Sequence, residues 1–471
     1  MGANRAALDA RAAAAVTGGR AVSVTMGRSA CGVTTDSRAV TPGSAFVALR
    51  GERHDGHGFV AAAIDAGAVL VVVERGRAPD DPRADVVEVD DTLTAWGAIA
   101  RGHLRAWREA QPGGRVVGIT GSAGKTTTKE LCAALLRAVG ACHASAGNLN
   151  NRVGLPAVAL EVEPAHRFAV LEMGMSLPGE IAALASIAEP DVGLIINLGL
   201  AHAGGVGGSI DDVAREKGAL FQGVRPQGTI VANADDAAVM AQAERVSGKH
   251  RSTFGRAPGA GVRLVSREAR ADGSRVVVER RGRRESFVVP VPGGAASVDF
   301  VAALAAAEAA AGQIDDALVQ GALASLGPIA GRMQLRRAGD VRIVDDAYNA
   351  NPASMRAALS TLGEMNGGRR VAVLGEMKEL GPLADREHEA LADAVARAGV
   401  KLLISCGGLA DITGRAAATR GVEVLFAGDT EHAARMAAER VKPGDVVLVK
   451  ASRSVGAERV VEALLRAAGG Q

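Results

Sequence analysis

Apolar runs that show no alternation with polar residues recur along the chain, each followed by an alanine-rich stretch of helical composition. Ala68-Val69-Leu70-Val71-Val72-Val73, Val116-Val117-Gly118-Ile119, Ala169-Val170-Leu171 and Gly193-Leu194-Ile195-Ile196 are early examples. Val371-Ala372-Val373-Leu374, Lys401-Leu402-Leu403-Ile404 and Val446-Val447-Leu448-Val449 follow later. A strand with one wet face alternates; a continuous apolar strand is covered on both faces, as in a parallel sheet flanked by helices. The class is therefore α/β. With 471 residues, and about 150 per domain as a prior, three domains are expected. Gln111-Pro112-Gly113-Gly114 and Leu326-Gly327-Pro328-Ile329 supply the breaks, the second after a helix expected over about Val301 to Ala311. The expected segments are 1–112, 113–328 and 329–471.

Composition narrows the function. The chain is 48% hydrophobic, yet its aromatic residues are only eight Phe, two Trp and one Tyr. That is too apolar for a disordered protein and too poor in stacking platforms for sequence-tolerant single-strand nucleic-acid binding. With 54 Lys and Arg against 52 Asp and Glu, the net charge of +2 leaves no footprint for DNA or membrane. The run Arg280-Arg281-Gly282-Arg283-Arg284, set between Val276-Val277-Val278 and Phe287-Val288-Val289, is expected to be a solvated hairpin turn. Four cysteines without a Cys-x-x-Cys pair suggest a reducing compartment and neither zinc nor disulfides. Arg5, Asp9 and Arg11 interrupt any signal-peptide core, and no uncharged apolar stretch reaches ~18 residues. A cytoplasmic protein without a membrane span is expected.

The sharpest local signal runs from Val116 to Thr128: a strand, a glycine-rich loop, and a helix through Leu131 to Leu136. Glycines let backbone N–H groups curl round phosphate oxygens, and the helix N-terminus adds a favourable field. Gly121, Ser122, Ala123, Gly124, Lys125, Thr126 and Thr127 are thus the candidate nucleotide loop. Lys125 would neutralise the β/γ-phosphates, and the Thr126 hydroxyl would hold Mg²⁺. Ile119 stands where the usual loop has its first glycine, so the spacing is a shorter variant, Gly121-x-x-Gly124-Lys125-Thr126. An ATP site is expected.

Downstream, Glu172 ends a strand and His202 closely follows another, where functional residues collect in open parallel sheets. A carboxylate there suits Mg²⁺, whereas a lone His is more often structural. Lys217 falls in a helical stretch from Ile210 to Phe221. Its default reading is a solvated helix face; a buried lysine with a depressed pKa would instead react with CO₂ to form a carbamate. The residues alone leave both readings open.

Taken together, these motifs resemble the Mur ligases of peptidoglycan precursor synthesis, over nearly the whole chain and in matching order. The first segment contributes Asp36-Ser37-Arg38, Pro42 to Glu52 and Asp55-Gly56-His57. The second contributes Thr120 to Thr127, Gly147-Asn148-Leu149-Asn150-Asn151, Glu172-Met173-Gly174, Pro178-Gly179-Glu180-Ile181, Ala201-His202 and Lys217-Gly218. The third contributes Gly331-Arg332-Met333, Asp345-Asp346-Ala347-Tyr348-Asn349-Ala350-Asn351-Pro352 and Val449-Lys450-Ala451-Ser452-Arg453-Ser454. The asparagine run and the Asp345 to Pro352 run look like the branch that adds D-alanyl-D-alanine. Locally, an asparagine cluster also reads as a turn, and Asn-Pro as a helix entry.

The resemblance implies an N-terminal UDP-substrate domain, a central phosphate-loop ATPase domain with a mostly parallel sheet, and a Rossmann-like C-terminal acceptor domain. It implies ATP-dependent amide ligation of D-alanyl-D-alanine to UDP-N-acetylmuramoyl-tripeptide through an acyl phosphate, by a monomer. Carried over residue by residue, Lys125 looks like the phosphate contact. Thr126 and Glu172 resemble one metal's ligands, and His202 with a carbamylated Lys217 the second's. Arg332 and Asp346 look like ATP phosphate and ribose contacts. Tyr348, Asn349 and Asn351 would face the dipeptide, with Lys450 and Ser452 in the same cleft. Asn148, Asn150 and Asn151 belong to the substrate side, and Ser37 and Arg38 to the uridine diphosphate end. One departure concerns adenine: the family's Asn is missing from Gly293 to Ala302. Two other readings are a relative in the same superfamily, such as a folylpolyglutamate synthetase, and a nucleotide-dependent switch. The Asp345 to Pro352 run argues against the first, and a third domain bearing Arg332 and Asp346 against the second.

Overall fold

The computed structural model describes residues 4–24, 27–51, 54–199 and 203–469. The apolar runs form the strands Leu70–Glu74, Arg115–Thr120, Phe168–Glu172, Val192–Ile195, Arg370–Leu374, Leu402–Ser405 and Val446–Lys450, almost entirely buried. They belong to three separate sheets. The first has the order Arg20–Ser23, Asp85–Val89, Leu70–Glu74, Ala45–Val47, Val33–Thr34. In the central nine-stranded sheet, seven strands from Cys142–Ala144 to Val262–Arg270 run parallel, and two antiparallel strands close the edge. The third sheet is parallel except for its opening hairpin, Gln334–Ala338 with Val341–Asp345.

Helix α1 (Thr92–Ala110) starts on an Asp91 cap and carries both tryptophans of the chain. One side packs on the first sheet and the other on the central body, so Val72, Val87, Trp96, Leu104, Leu155 and Leu184 share one continuous core. Polar contacts fix this seam. The Trp96 indole N–H donates to Val153 O (2.9 Å), and that of Trp107 to His166 O (3.0 Å). Arg108 donates to the carbonyls of Ala188 (3.0 Å) and Glu189 (2.7 Å).

Helix α2 (Lys125–Arg137) follows the nucleotide loop, and α3 (Gly294–Ala311) packs beside it. α3 begins at 294 rather than the expected 301, and the turns added at its start include the buried Asp299. Among the described residues α3 is the one helix long and apolar enough to cross a membrane. It is a core helix, with Phe300 to Ala307 buried against α2 and the central sheet. The basic run does form a hairpin, with Arg281 (φ +54°) and Gly282 (φ +72°) at its tip. Arg280, however, is buried and paired with Glu308 and Asp316, so only the rest of the run is solvated.

Because α1 glues two sheets through one core, Trp96→Ala is expected to cost about 3–5 kcal/mol, the range for emptying a buried aromatic site. Denaturant unfolding checks this; a loss below ~1 kcal/mol would show that the seam contributes little.

Candidate active site

In the central sheet, Arg115–Thr120 lies between Phe168–Glu172 and Val192–Ile195, and chain connectivity departs to opposite sides from it. Such a reversal opens a crevice at the carboxyl ends of the strands. Thr120, Glu172 and Asn197 emerge there. The loop leaves the strand and turns at Gly124 (φ +81°), where a Cβ would collide with the Asp299 carboxylate. Asn197 Oδ1 accepts the N–H groups of Ser122 (3.1 Å) and Ala123 (2.9 Å), shaping the loop from the neighbouring strand. The Lys125 ammonium donates to Gly121 O (2.9 Å).

Glu172 joins two predicted groups. Thr126 Oγ1 donates to its Oε2 (3.0 Å), and Asn150 Nδ2 to its Oε1 (2.8 Å). Asn151 instead turns the chain into the helix Gly154–Leu160, its Oδ1 accepting from Val153 N (3.2 Å) and Gly154 N (2.8 Å), and Asn148 is exposed in the turn before it. A threonine hydroxyl, one carboxylate and open space beside them fit Mg²⁺, which keeps several waters and takes phosphate oxygens. Among the described residues, no three His, Cys, Asp or Glu gather into a closed metal cage. His202 lies outside the described residues, as does Glu52.

Lys217 is fully buried on the helix Ile210–Gly223, which excludes the solvated-face reading. Among the described residues its Nζ has no hydrogen-bond partner. Desolvation holds its pKa well below the usual lysine range, Lys125 adds to the shift and Glu216 opposes it. Lys125 is also lowered by burial; Glu172 opposes that shift and Arg332 reinforces it.

The third sheet builds the opposite wall. Arg332 Nη2 reaches Thr126 Oγ1 (3.4 Å), and Asn351 Nδ2 donates to Ser122 O (3.0 Å). Asn351 also caps α4 (Pro352–Glu364) in a reciprocal box with Ser354, so the helix-entry reading holds as well. A cleft of about 360 Å³ results, lined by the loop, Glu172, Arg332, Asn349, Asn351 and Ser452, and also by Lys378, Glu379 and Arg453. A second cavity of about 200 Å³ adjoins it, with Gly124, Thr127, Asp299, Arg332, Asp346 and Lys450 in its walls. There Lys450 is buried and donates to Asp346 Oδ2 (2.6 Å) and Asn349 O (2.8 Å). Ser452 Oγ accepts from Lys378 N (2.9 Å). Tyr348 is placed behind this wall, its ring under the guanidiniums of Arg332 and Arg453. Ser37 and exposed Arg38 sit on the first body, where Asp36 grips the Arg38 guanidinium at 2.8 and 2.9 Å; neither lines the cleft.

Sequence reasoning missed Asn197, Lys378 and Glu379. Asn197 follows a strand end, the signal that identified Glu172. Glu379 carries a positive φ of +64°, which no local pattern announces.

Asp299 was noted in sequence only as part of a departure, yet its carboxyl is buried and pushed up to about 8. Desolvation is the main cause, which the nearby Thr128 hydroxyl and Arg332 guanidinium only partly oppose. The unfolded side chain ionises near 3.8. The stability it contributes is therefore complete below about pH 4 and is lost progressively as pH rises to about 8. Asp299→Asn is expected to raise the melting temperature relative to the parent at pH 8 and to leave it nearly equal at pH 4. Equal melting curves at both pH values would place the ionisation elsewhere.

Comparison with known proteins agrees with this geometry. The Mur ligase family catalytic domain matches residues 30–103, the Mur ligase middle domain 119–307, and the Mur ligase glutamate ligase domain 331–453. A UDP-N-acetylmuramoyl-tripeptide--D-alanyl-D-alanine ligase of Synechocystis is 35% identical, over 92% of this chain and 91% of its own. The MurF structure from Acinetobacter baumannii superposes with a TM-score of 0.88 at 28% identity, covering 98% of this chain and 99% of that one. The Thermotoga maritima MurF ligase, solved in complex with ADP, gives 0.80 at 28% identity, covering 93% and 98%. With the nucleotide loop, its carboxylate and a second wall bearing arginine all in family order, the chain belongs to the Mur ligase family.

Proposed function

We propose that the protein is the ATP-dependent ligase joining D-alanyl-D-alanine to UDP-N-acetylmuramoyl-tripeptide in peptidoglycan precursor synthesis. The observation that carries this reading is the two-sided cleft. The loop with Lys125 and the Thr126–Glu172 pair forms one wall, and Arg332 and Asn351 of the third sheet bond directly to it. A nucleotide switch needs only the first wall; a ligase needs a second to bring an acceptor to the activated group.

In this reading the tripeptide carboxylate attacks the γ-phosphorus of ATP, forming an acyl phosphate and releasing ADP. The dipeptide amine then attacks the acyl carbon, and the tetrahedral intermediate expels phosphate as the amide forms and the ammonium proton is lost. Lys125 and Arg332 face the transferring phosphoryl group, where negative charge develops. Mg²⁺ held by Thr126 and Glu172 would supply further charge neutralisation at the phosphate oxygens. Gly121 to Thr127 cradle the phosphates, and Asp346 stands at the ribose in the second cavity. Asn349, Asn351 and Ser452 bound the acceptor's space, with Lys450 fixing Asp346 and Asn349 behind them. Asn150 orients Glu172, while Asn148 and Asn151 shape that turn. Ser37 and Arg38 receive the uridine diphosphate end. The segments 1–112, 113–328 and 329–471 thus divide UDP-substrate, ATP and acceptor among them, in a cytoplasmic monomer.

Lys217 supports one finer assignment: its buried neutral amine adds to CO₂, losing a proton to give a carbamate anion. That anion would offset Lys125 and, with His202, serve a second metal ion. Protein equilibrated with ¹³C-bicarbonate should show a carbamate resonance that is lost in Lys217→Ala; its absence from the parent would sink the assignment.

Phosphate release with ATP, Mg²⁺ and UDP-N-acetylmuramoyl-tripeptide is expected to depend on D-alanyl-D-alanine. Lys125→Ala should abolish it while leaving the melting temperature close to the parent's. Full ATP turnover without either substrate would instead favour the switch.

A further inference from the structure

The cleft's two arginines come from separate loops, and one ring carries both. Arg332 follows the break between the second and third sheets; Arg453 follows the strand Val446–Lys450. Their Cζ atoms lie 4.3 and 5.2 Å from the centroid of Tyr348. Tyr348 leaves the strand Val341–Asp345, which pairs in parallel with Val446–Lys450, so ring and Arg453 emerge side by side. The ring is held in turn: Tyr348 N donates to Gly331 O (3.2 Å), and a Cβ at Gly331 would sit 3.1 Å from the Tyr348 Cβ. Both arginines line the cleft that holds Lys125 and Thr126, whereas Tyr348 lines the cavity behind it.

Two guanidiniums aimed into a cleft that already holds a buried lysine repel each other and the lysine. An aromatic face attracts both cations without using their N–H groups. Arg332 thus keeps its long contact to Thr126 Oγ1 (3.4 Å), Arg453 keeps Nη1 3.4 Å from Glu458, and their other N–H groups are left for phosphate or carboxylate oxygens. We infer that Tyr348 is a positioning residue, whose ring holds Arg332 and Arg453 toward the phosphoryl-transfer cleft, while its hydroxyl does not touch the acceptor. The inference rests on the ligase reading for its turnover test, but not for its binding test.

The variants are Tyr348→Leu, which removes the face, Tyr348→Phe, which keeps it, and Tyr348→His, a smaller aromatic replacement should the leucine variant fold poorly. Binding of a non-hydrolysable ATP analogue with Mg²⁺ is measured by calorimetry, and turnover by phosphate release. Tyr348→Leu is expected to weaken analogue binding and lower kcat, each by about tenfold, with the dipeptide KM within about twofold of the parent's. Tyr348→His should fall between it and the parent. Tyr348→Phe should restore both quantities to within about twofold. Unchanged analogue binding in Tyr348→Leu, or in Tyr348→His if that variant must replace it, overturns the inference even if the protein proves not to be a ligase. A dipeptide KM raised about tenfold or more in Tyr348→Phe also overturns it, by assigning the hydroxyl to the acceptor.

Discussion

Lys217 is fully buried within the field of Lys125, which itself lines the cleft half-buried, and the site is organised around that pair. Desolvation penalises the charged form of each, and Lys217 additionally feels Lys125. The Glu172 carboxylate is shared between Thr126 and Asn150. Arg332 and Arg453 then add positive charge on the facing wall, where Lys378 is paired with Glu376 and Glu379 contributes a carboxylate. A cleft so built favours anions, and the proposed reaction brings together a nucleotide triphosphate and a peptide carboxylate that would otherwise repel. The field is preorganised where charge develops, so little reorganisation remains at the moment of transfer.

The same charge pattern decides which parts of the molecule can separate. Both Pro–Gly breaks look alike in sequence, and three mutually mobile domains would follow from them alone. Around the first break, however, α1 drives Trp96 and Trp107 into the central body and merges two cores into one. Around the second, the contacts to the third sheet that reach the cleft are polar: Arg332 to Thr126, Asn351 to Ser122 and, further out, Arg267 to Glu364 at 2.6 Å. A shared apolar core separates only at the cost of exposing it, whereas polar contacts are replaced by bonds to water. Separating the bodies therefore costs less at the second seam than at the first.

Much of this was legible in the sequence, for physical reasons that also mark the boundary. The strands were legible because burial on both faces writes itself into consecutive residues, and the loop because phosphate binding needs its glycines at fixed offsets. Lys217 was not, because nothing within its own helix distinguishes a lysine turned inward from one turned to water. Asp299 was not singled out either, because only its packing under Gly124 marks it as buried. Asn197, Lys378 and Glu379 act across strands or bodies far apart in sequence, so their partners are set by topology alone. Asn351 was legible as the entry to α4, whereas its bond to the nucleotide loop, 229 residues away in sequence, was not.

The shortage of aromatic residues makes their placement informative. Phe46, Phe168, Phe221, Phe254, Phe287 and Phe300 fill cores that aliphatic residues otherwise dominate. The residues with both a ring and a polar edge are used differently. The two tryptophans sit at the first seam, each with its N–H bonded to a carbonyl of the neighbouring body. The single tyrosine sits at the second, under Arg332, which reaches across to Thr126, and Arg453 beside it. A buried N–H bond is directional and locks a seam, whereas a cation over a ring tolerates sliding of the guanidinium across the face. The first arrangement fixes two bodies in one relative geometry, whereas the second keeps the arginines stacked on the ring over a range of positions.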